Sequence, residues 1–148
     1  RDVAELLIDR GADVNATTEM GQTALMFAAI VGHRDVAELL IDRGAGVNTT
    51  VDMGLTAFMI AADKGHRDVA ELLLDRGADV NAITDVGQTA LMIAAGGGHR
   101  DVAELLLDRG ADVNAIAIQD RTARMFAADK GHSDIVKLLD EAARRQDV

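Results

Sequence analysis

The sequence of 148 residues contains no cysteine, proline, tryptophan or tyrosine, and its aromatic content is only 2%. The absence of cysteine excludes disulfides, thiolate metal sites and cysteine nucleophiles, and it fits a reducing compartment. Because aromatic side chains are so few, we predict a core of Leu, Ile, Val, Met and Ala. The apolar content of 49% is enough to build one.

Positive charge and long apolar runs are scarce as well. The chain has 15 Lys and Arg against 25 Asp and Glu, a formal net charge of −10, which disfavours nucleic acid as a partner because like charges repel. The longest apolar run, residues 24–31, is far shorter than the roughly 18 residues of a membrane-spanning helix. No signal-peptide pattern is visible. We therefore expect a cytoplasmic protein that binds neither nucleic acid nor membranes.

One stretch of sequence recurs along the chain with a period of 33 residues. Its clearest copy is GQTALMIAAGGGHRDVAELLLDRGADVNA at residues 87–115, edited copies begin at Gly21 and Gly54, and a diverged copy begins at Asp120. The four histidines mark the period at His33, His66, His99 and His132. A fixed period of about 20 to 50 residues indicates a solenoid, in which stacked units share one core.

Each unit contains two short helices. Thr23 is predicted to cap a first helix that extends to residue 31, because its hydroxyl can accept an orphan backbone N–H. A second helix follows over residues 34–43, and Gly32 and Gly44 are predicted to end the two helices by entering the left-handed region. Neither helix exceeds about ten residues, which is too short to persist alone in water. Packing between helices and between units must therefore stabilise the fold.

The last unit differs from the others in a pattern expected of an end cap. Leu91 is replaced by Arg124 at the equivalent position, and Leu107 is replaced by Asp140. Residues 141–144 are EAAR where the earlier units have DRGA, so the final helix is predicted to continue past the usual glycine stop. Polar residues on the outer side of a terminal unit keep a solenoid soluble.

The start of the chain shows the opposite pattern. Residues 1–10 form a lone second helix, whose apolar residues Val3, Leu6 and Leu7 have no first helix before them. Either earlier units precede Arg1 or another molecule covers this face. Because the first residue is not Met, we favour a chain that begins upstream. Self-association through this face is an alternative.

The repeated motifs resemble a known family. GQTALMFAA at residues 21–29 and GHRDVAELLLDRGADVNA at residues 98–115 closely resemble the ankyrin repeat. The resemblance implies an all-α solenoid of stacked helix-turn-helix units joined by hairpin-like loops. It divides one domain into a truncated repeat (residues 1–17), three full repeats (18–50, 51–83 and 84–116) and a C-terminal capping repeat (117–148).

One departure from the family recurs in every unit. The family usually opens the first helix with Thr-Pro-Leu-His, whereas this chain has Thr-Ala-Leu-Met at residues 23–26 and 89–92, Thr-Ala-Phe-Met at 56–59 and Thr-Ala-Arg-Met at 122–125. Ala loses the preset φ angle of Pro. Met cannot make the hydrogen bonds that the family's His makes, so burial and dispersion must replace them. This departure argues against an idealised consensus design.

Three motifs imitate chemical sites. The triplet His-Arg-Asp at residues 33–35, 66–68 and 99–101 imitates a kinase catalytic loop, but the remaining kinase motifs are missing. Histidines on neighbouring units, about 8–10 Å apart, are too distant to share a zinc ion. Gly96, Gly97 and Gly98 lack the Lys-Ser/Thr of a phosphate loop, and we expect a flexible turn there. We expect no catalytic residue, metal or cofactor.

The positions that differ between units are the more informative ones. In ankyrin-like folds, loop tips and the ends of first helices form the concave face that contacts partners. Positions freed from packing can diversify for recognition or drift, and we favour recognition. The predicted partner-binding residues are Glu19, Met20, Gln22, Ile30, Val31, Asp52, Met53, Leu55, Asp63, Lys64, Asp85, Val86, Gln88, Gln119, Arg121 and Lys130.

Several of these residues are apolar and are expected to form an exposed patch, the kind of surface that often marks an interaction site. The patch comprises Met20, Ile30, Val31, Met53, Leu55 and Val86. The sequence therefore predicts a non-catalytic module that binds another protein or peptide through its concave face. The alternatives are an architectural spacer array within a longer multidomain protein and an engineered repeat scaffold.

Overall fold

The computed structural model describes the backbone of residues 2–146 and the side chains of residues 5–145, and over this span the chain is a stack of helix pairs. The first helices of the pairs are α2 (Ala24–Val31), α4 (Ala57–Lys64), α6 (Ala90–Gly97) and α8 (Ala123–Asp129). The second helices are α1 (Asp2–Asp9), α3 (Arg34–Asp42), α5 (Arg67–Asp75), α7 (Arg100–Asp108) and α9 (Ser133–Gln146). This confirms the predicted helical solenoid. The exact unit boundaries stay a prediction.

Threonine begins each first helix, as the sequence predicts. Thr23 Oγ1 accepts the backbone N–H of Met26 at 3.3 Å, and the same bond recurs in the three later units. Three of the first helices end at a glycine in the left-handed region, namely Gly32, Gly65 and Gly98. The caps satisfy backbone groups that these helices of seven or eight residues would otherwise leave open.

The loops between units are held in two ways. In the second full unit, strands β1 (Thr50–Val51) and β2 (Leu55–Thr56) form an antiparallel hairpin, and the last unit has a single bridge at the same place. In the other two units a threonine side chain stabilises the loop, because the hydroxyls of Thr18 and Thr84 accept backbone N–H groups across the turn. The hairpin-like loops implied by the resemblance are therefore present.

The prediction of a flexible turn at the three consecutive glycines is wrong. Gly96 and Gly97 belong to α6, and only Gly98 adopts the left-handed conformation, with φ of 77°. The two helical glycines stand where Asp63 and Lys64 end α4. Glycine costs about 1 kcal/mol in a helix interior, but the packing of α6 between α4 and α8 overrides that preference.

Alanine on the first helices curves the stack. The first helices contact each other more extensively than the second helices do, because small side chains let helix axes approach towards the lower end of the usual 8–10 Å. The second helices bury leucines between them instead, such as Leu72 and Leu105. The first helices therefore lie on the inner side of the curve. Their fully buried alanines include Ala29, Ala61, Ala62, Ala94 and Ala95.

Methionine fills the core position that the family usually gives to histidine. Met26, Met59 and Met92 are at most 1% exposed, so burial and dispersion replace the hydrogen bonds of the family residue, as predicted. The equivalent Met125, in the last unit, is 43% exposed.

Asparagine joins each unit to the next. The side-chain N–H of Asn48 donates to the Gly77 carbonyl at 3.1 Å, and its Oδ1 accepts the Asp79 N–H at 3.2 Å. Asn15 and Asn81 make the same pair of bonds to their own following units. Because each side chain bridges two backbone groups of the next turn, the asparagines fix the spacing of the stack.

Histidine also acts between units. The Nε2 of His66 lies 3.0 Å from the carbonyl oxygen of Ile30, and that of His99 lies 2.8 Å from the carbonyl oxygen of Asp63. The two rings cover Gly32 and Gly65 of the preceding unit, where an added Cβ would lie within 2.7 Å of a ring atom. These contacts confirm a structural role for both histidines.

The repeated charges form ion pairs along the convex side. Arg76 Nη1 lies 2.8 Å from Asp42 Oδ1 of the preceding unit, and Arg109 Nη1 lies 2.9 Å from Asp75 Oδ1. The pKa of Arg76 is raised by its hydrogen bond to Asp42 and by Coulomb attraction to that carboxylate. Because these groups are exposed, solvent screens their attraction, and each pair contributes little to the stability of the fold.

The structure confirms that the final helix continues past the usual glycine stop. Arg124 Nε lies 2.8 Å from Asp140 Oδ1, so the two polar replacements of the last unit pair with each other, and α9 continues to Gln146. At the other end, Leu6 and Leu7 are 53% and 56% exposed. The side chain of Val3 lies outside the described residues.

Candidate partner-binding surface

The first helices and the loop tips define one side of the molecule, called here the concave surface. Backbone hydrogen bonds join the tips of the last three units: the Asp85 N–H donates to the Met53 carbonyl at 2.9 Å, and the Ile118 N–H donates to the Val86 carbonyl at 3.0 Å. Equivalent side chains on successive tips therefore stand in rows along the stack. Rows of this kind present a repeated surface to one extended partner.

The structure separates the predicted partner-binding residues into an exposed and a half-buried group. Ten are exposed, namely Glu19, Met20, Val31, Asp52, Met53, Asp63, Lys64, Asp85, Gln119 and Lys130. Six are half-buried, namely Gln22, Ile30, Leu55, Val86, Gln88 and Arg121.

The predicted exposed apolar patch is therefore only partly correct. Met20, Val31 and Met53 are 56–62% exposed. Ile30, Leu55 and Val86, in contrast, pack partly against neighbouring residues, and Leu55 belongs to strand β2, opposite Val51. Unit-to-unit comparison did not reveal this burial, because a variable residue can differ between units and still contact the core.

Met53 is held at the tip in an unusual conformation. Its φ of 69° lies in the left-handed region, which costs about 1–2 kcal/mol for a residue with a Cβ. Gln119, at the equivalent position of the last unit, has φ of 62°. An exposed apolar side chain on a strained backbone contributes little to the fold, and such strain is often found at binding positions.

A pocket of about 230 Å³ opens on the concave surface between the second and third full units. Its walls are mostly apolar, and a carboxylate and an amide stand among them. The lining residues are Leu55, Met59, Ile60, Asp63, Gln88 and Ile93. Apolar walls with a few placed polar groups are the usual composition of a binding pocket.

Ile60 and Ile93 belong to a row that the sequence analysis missed. Their equivalents are Phe27 in the first full unit and Phe126 in the last unit, and Phe27 is 46% exposed. The signal was present, since the position holds Phe in two units and Ile in the other two. It was overlooked because a large apolar residue on every first helix suggests core packing.

The last unit closes the row with a polar cluster. Arg121 forms an ion pair with Asp129, and its guanidinium carbon lies 4.9 Å from the centre of the Phe126 ring. Such a cation–π contact contributes about 0.5–1 kcal/mol at an exposed position. Arg121, predicted as a contact residue, is therefore fixed by its own unit.

The carboxylates at the loop tips have no such partners. Glu19, Asp52 and Asp85 are exposed and take part in no ion pair within the described residues. Their counterparts on the second helices, such as Asp42 and Asp75, are paired with arginines. The tips therefore present negative charge that the fold does not use.

Within residues 5–145, no group of three or more His, Cys, Asp or Glu side chains is placed to hold a metal ion. Over the same part of the chain, no helix combines the length and the apolar character that crossing a bilayer requires.

Helix pairs stacked with a period of 33 residues, joined by hairpins and open on one curved side, define a helical repeat solenoid. A family model for ankyrin repeats (three copies) matches residues 1–84 and again residues 78–147. The chain therefore belongs to the ankyrin repeat family, which confirms the resemblance seen in the sequence. Ankyrin repeats are generally protein–protein interaction modules and are typically non-catalytic. No curated protein matches the chain.

Proposed function

We propose that this protein is a non-catalytic binding module, and that it contacts another protein or peptide through the concave surface. One observation carries the proposal: side chains that differ between otherwise near-identical units gather on this surface. Met20 and Met53 stand among them with 62% and 59% of their surface exposed. Large apolar side chains held in water are the groups whose burial contributes most to an interface.

The test is affinity capture with the intact protein, followed by mass spectrometry. A variant carrying Met20→Gln and Met53→Gln places two uncharged amides where the partner is expected to bury apolar surface, and it leaves the charge of the tips unchanged. Each lost anchor contributes about 1–2 kcal/mol, so we expect capture to fall at least tenfold. Because both side chains are exposed, the circular dichroism melt should stay within a few degrees of the parent.

Met125→Gln is the matched control. Met125 is also exposed, at 43%, but it lies at the core-facing position of the last unit rather than on the concave surface. Capture by this variant should equal that of the parent. If both variants capture the same proteins in the same amounts as the parent, the concave surface is not the binding site.

The same experiment tests the alternative roles. An architectural spacer or an engineered scaffold without a ligand predicts no partner that depends on Met20 or Met53. We infer that self-association would occur through the exposed side chains of Leu6 and Leu7. Analytical sedimentation at increasing protein concentration tests this role. The lack of cysteine supports the cytoplasm as the compartment.

A further inference from the structure

We propose that the partner segment is basic and carries one large apolar side chain, which enters the pocket between Leu55 and Ile93. In this arrangement the Lys and Arg side chains of the segment face the row of tip carboxylates formed by Glu19, Asp52 and Asp85. This inference rests on the proposed function, because it names the chemistry of the partner that the concave surface binds.

The pocket sets the first requirement. An apolar cavity of about 150 Å³ is large enough to bind benzene, so a pocket of about 230 Å³ has room for the side chain of Phe, Leu or Met. Leu55, Ile60 and Ile93 supply its apolar walls, and Asp63 and Gln88 supply its polar groups. A partner side chain that fills it removes half-buried aliphatic surface from water, which favours binding.

The tip carboxylates set the second requirement. They stand one unit apart along the stack, a separation similar to the Debye length of about 8–10 Å, so their fields reinforce one another. Lys64 Nζ lies 3.9 Å from Asp63 Oδ2 and offsets part of the charge beside the pocket. At the tips of the three full units the excess charge is negative, and a basic segment complements it.

An acidic segment or an uncharged apolar segment fits less well. An acidic segment would be repelled by the tip carboxylates and by the net charge of −10. An uncharged apolar segment would leave the tip carboxylates next to buried apolar surface with no positive charge to balance them. Complementary charge raises the association rate and selects among partners more than it raises affinity. The pocket supplies affinity and the carboxylates supply selectivity.

The experiment is a selection from a random peptide library displayed on phage, with the intact protein immobilised. We expect the selected peptides to be enriched in Lys and Arg and to share one large apolar residue. Synthetic copies are then titrated by fluorescence anisotropy. Replacing the shared apolar residue of the peptide with Ala should weaken binding about tenfold or more, and this measurement does not depend on the folding of a protein variant.

Two charge variants separate the tips from the overall charge. The double variant Asp52→Asn and Asp85→Asn removes two tip carboxylates, and we expect binding to weaken about 3- to 10-fold at low salt. The double variant Glu71→Gln and Asp108→Asn removes two negative charges from second helices, and we expect less than a twofold change. Raising the salt concentration should shrink the difference between the two variants.

The outcomes distinguish this inference from the proposed function. Peptides that lose binding to the Met20→Gln and Met53→Gln variant, but show no basic enrichment or bind both charge variants equally, overturn the inference and leave the proposed function standing. Peptides that bind that methionine variant as well as the parent overturn both. A selection that yields no binder also overturns the inference.

Discussion

Replacement of Asn48 by Ala is the most direct test of how the units are held together. The Asn48 side chain donates to the Gly77 carbonyl at 3.1 Å and accepts the Asp79 N–H at 3.2 Å. The substitution removes both bonds and leaves the helices themselves untouched. In a solenoid, stability is approximately the sum of unit terms and nearest-neighbour interface terms, and this change acts on an interface term alone.

The magnitude follows from the two bonds. A net contribution of about 0.5–1.5 kcal/mol for each hydrogen bond gives a loss of about 1–3 kcal/mol. The lower half of that range is expected, since Gly77 and Asp79 are exposed and water replaces part of what they lose. Asn48→Asp should be at least as destabilising, because it keeps an acceptor for Asp79 but brings a second oxygen against the Gly77 carbonyl.

The chain supplies a matched control in Asn114. It occupies the same place in the same motif, but α9 continues where the next turn would lie, and the Asn114 side chain makes no hydrogen bond within the described residues. Urea denaturation followed by circular dichroism should show Asn114→Ala within about 0.5 kcal/mol of the parent. Equal losses for Asn48→Ala and Asn114→Ala would refute the reasoning, because they would show that asparagine acts within its own unit.

Two further predictions concern the core and the turns. Leu72→Ala should cost about 2–5 kcal/mol in urea denaturation because Leu72 is 3% exposed, whereas Glu71→Ala should be near neutral; similar losses would mean that the facing of α5 is wrong. Gly77→Ala should cost about 1–2 kcal/mol through its φ of 100° alone, since an added Cβ would meet no atom within 4 Å. Gly65→Ala should cost more by thermal melting, because its Cβ would also displace the His99 ring, and an equal cost would contradict that contact.

Most of the fold could be predicted from the sequence because the units repeat. Each of these features appears several times in the chain: the period, the order of the helices, the threonine caps and the glycine stops. A chance pattern in one unit therefore has little effect on the prediction. The prediction at Gly96 and Gly97 failed for the opposite reason, because it relied on a feature of one unit alone. The low helix propensity of glycine predicts a turn at these two positions. A helix forms there instead because α6 packs between α4 and α8, which do not have glycine at that position.

Contacts between units were less accessible from the sequence. The repeated charges do not by themselves show that Arg76 reaches Asp42 in the preceding unit. A period of 33 residues indicates which side chains lie in the same row. It does not indicate which side chain of one row contacts which side chain of the neighbouring row. That choice depends on the offset between stacked helices, which is set by the alanines of the first helices and the leucines of the second.

The candidate surface shows where comparison between units reaches its limit. Variation identified Met20 and Met53, which the structure leaves exposed, and uniform chemical character concealed Ile60 and Ile93, which line the pocket. A position can be variable because it is free or because each unit packs it differently. Sequence alone cannot separate these causes, since both produce the same list of differences.

Leu55 contributes both to core packing and to the candidate binding surface. It pairs through its backbone with Val51, packs partly into the stack, and still lines the pocket that we assign to the partner. Met53, two residues earlier, contributes its side chain to the surface and little to the core. Substitutions at Met53 can therefore alter partner choice without loss of stability, whereas any substitution at Leu55 changes both. New binding specificity in this stack should arise at the tips first, and the pocket should limit how far it can change.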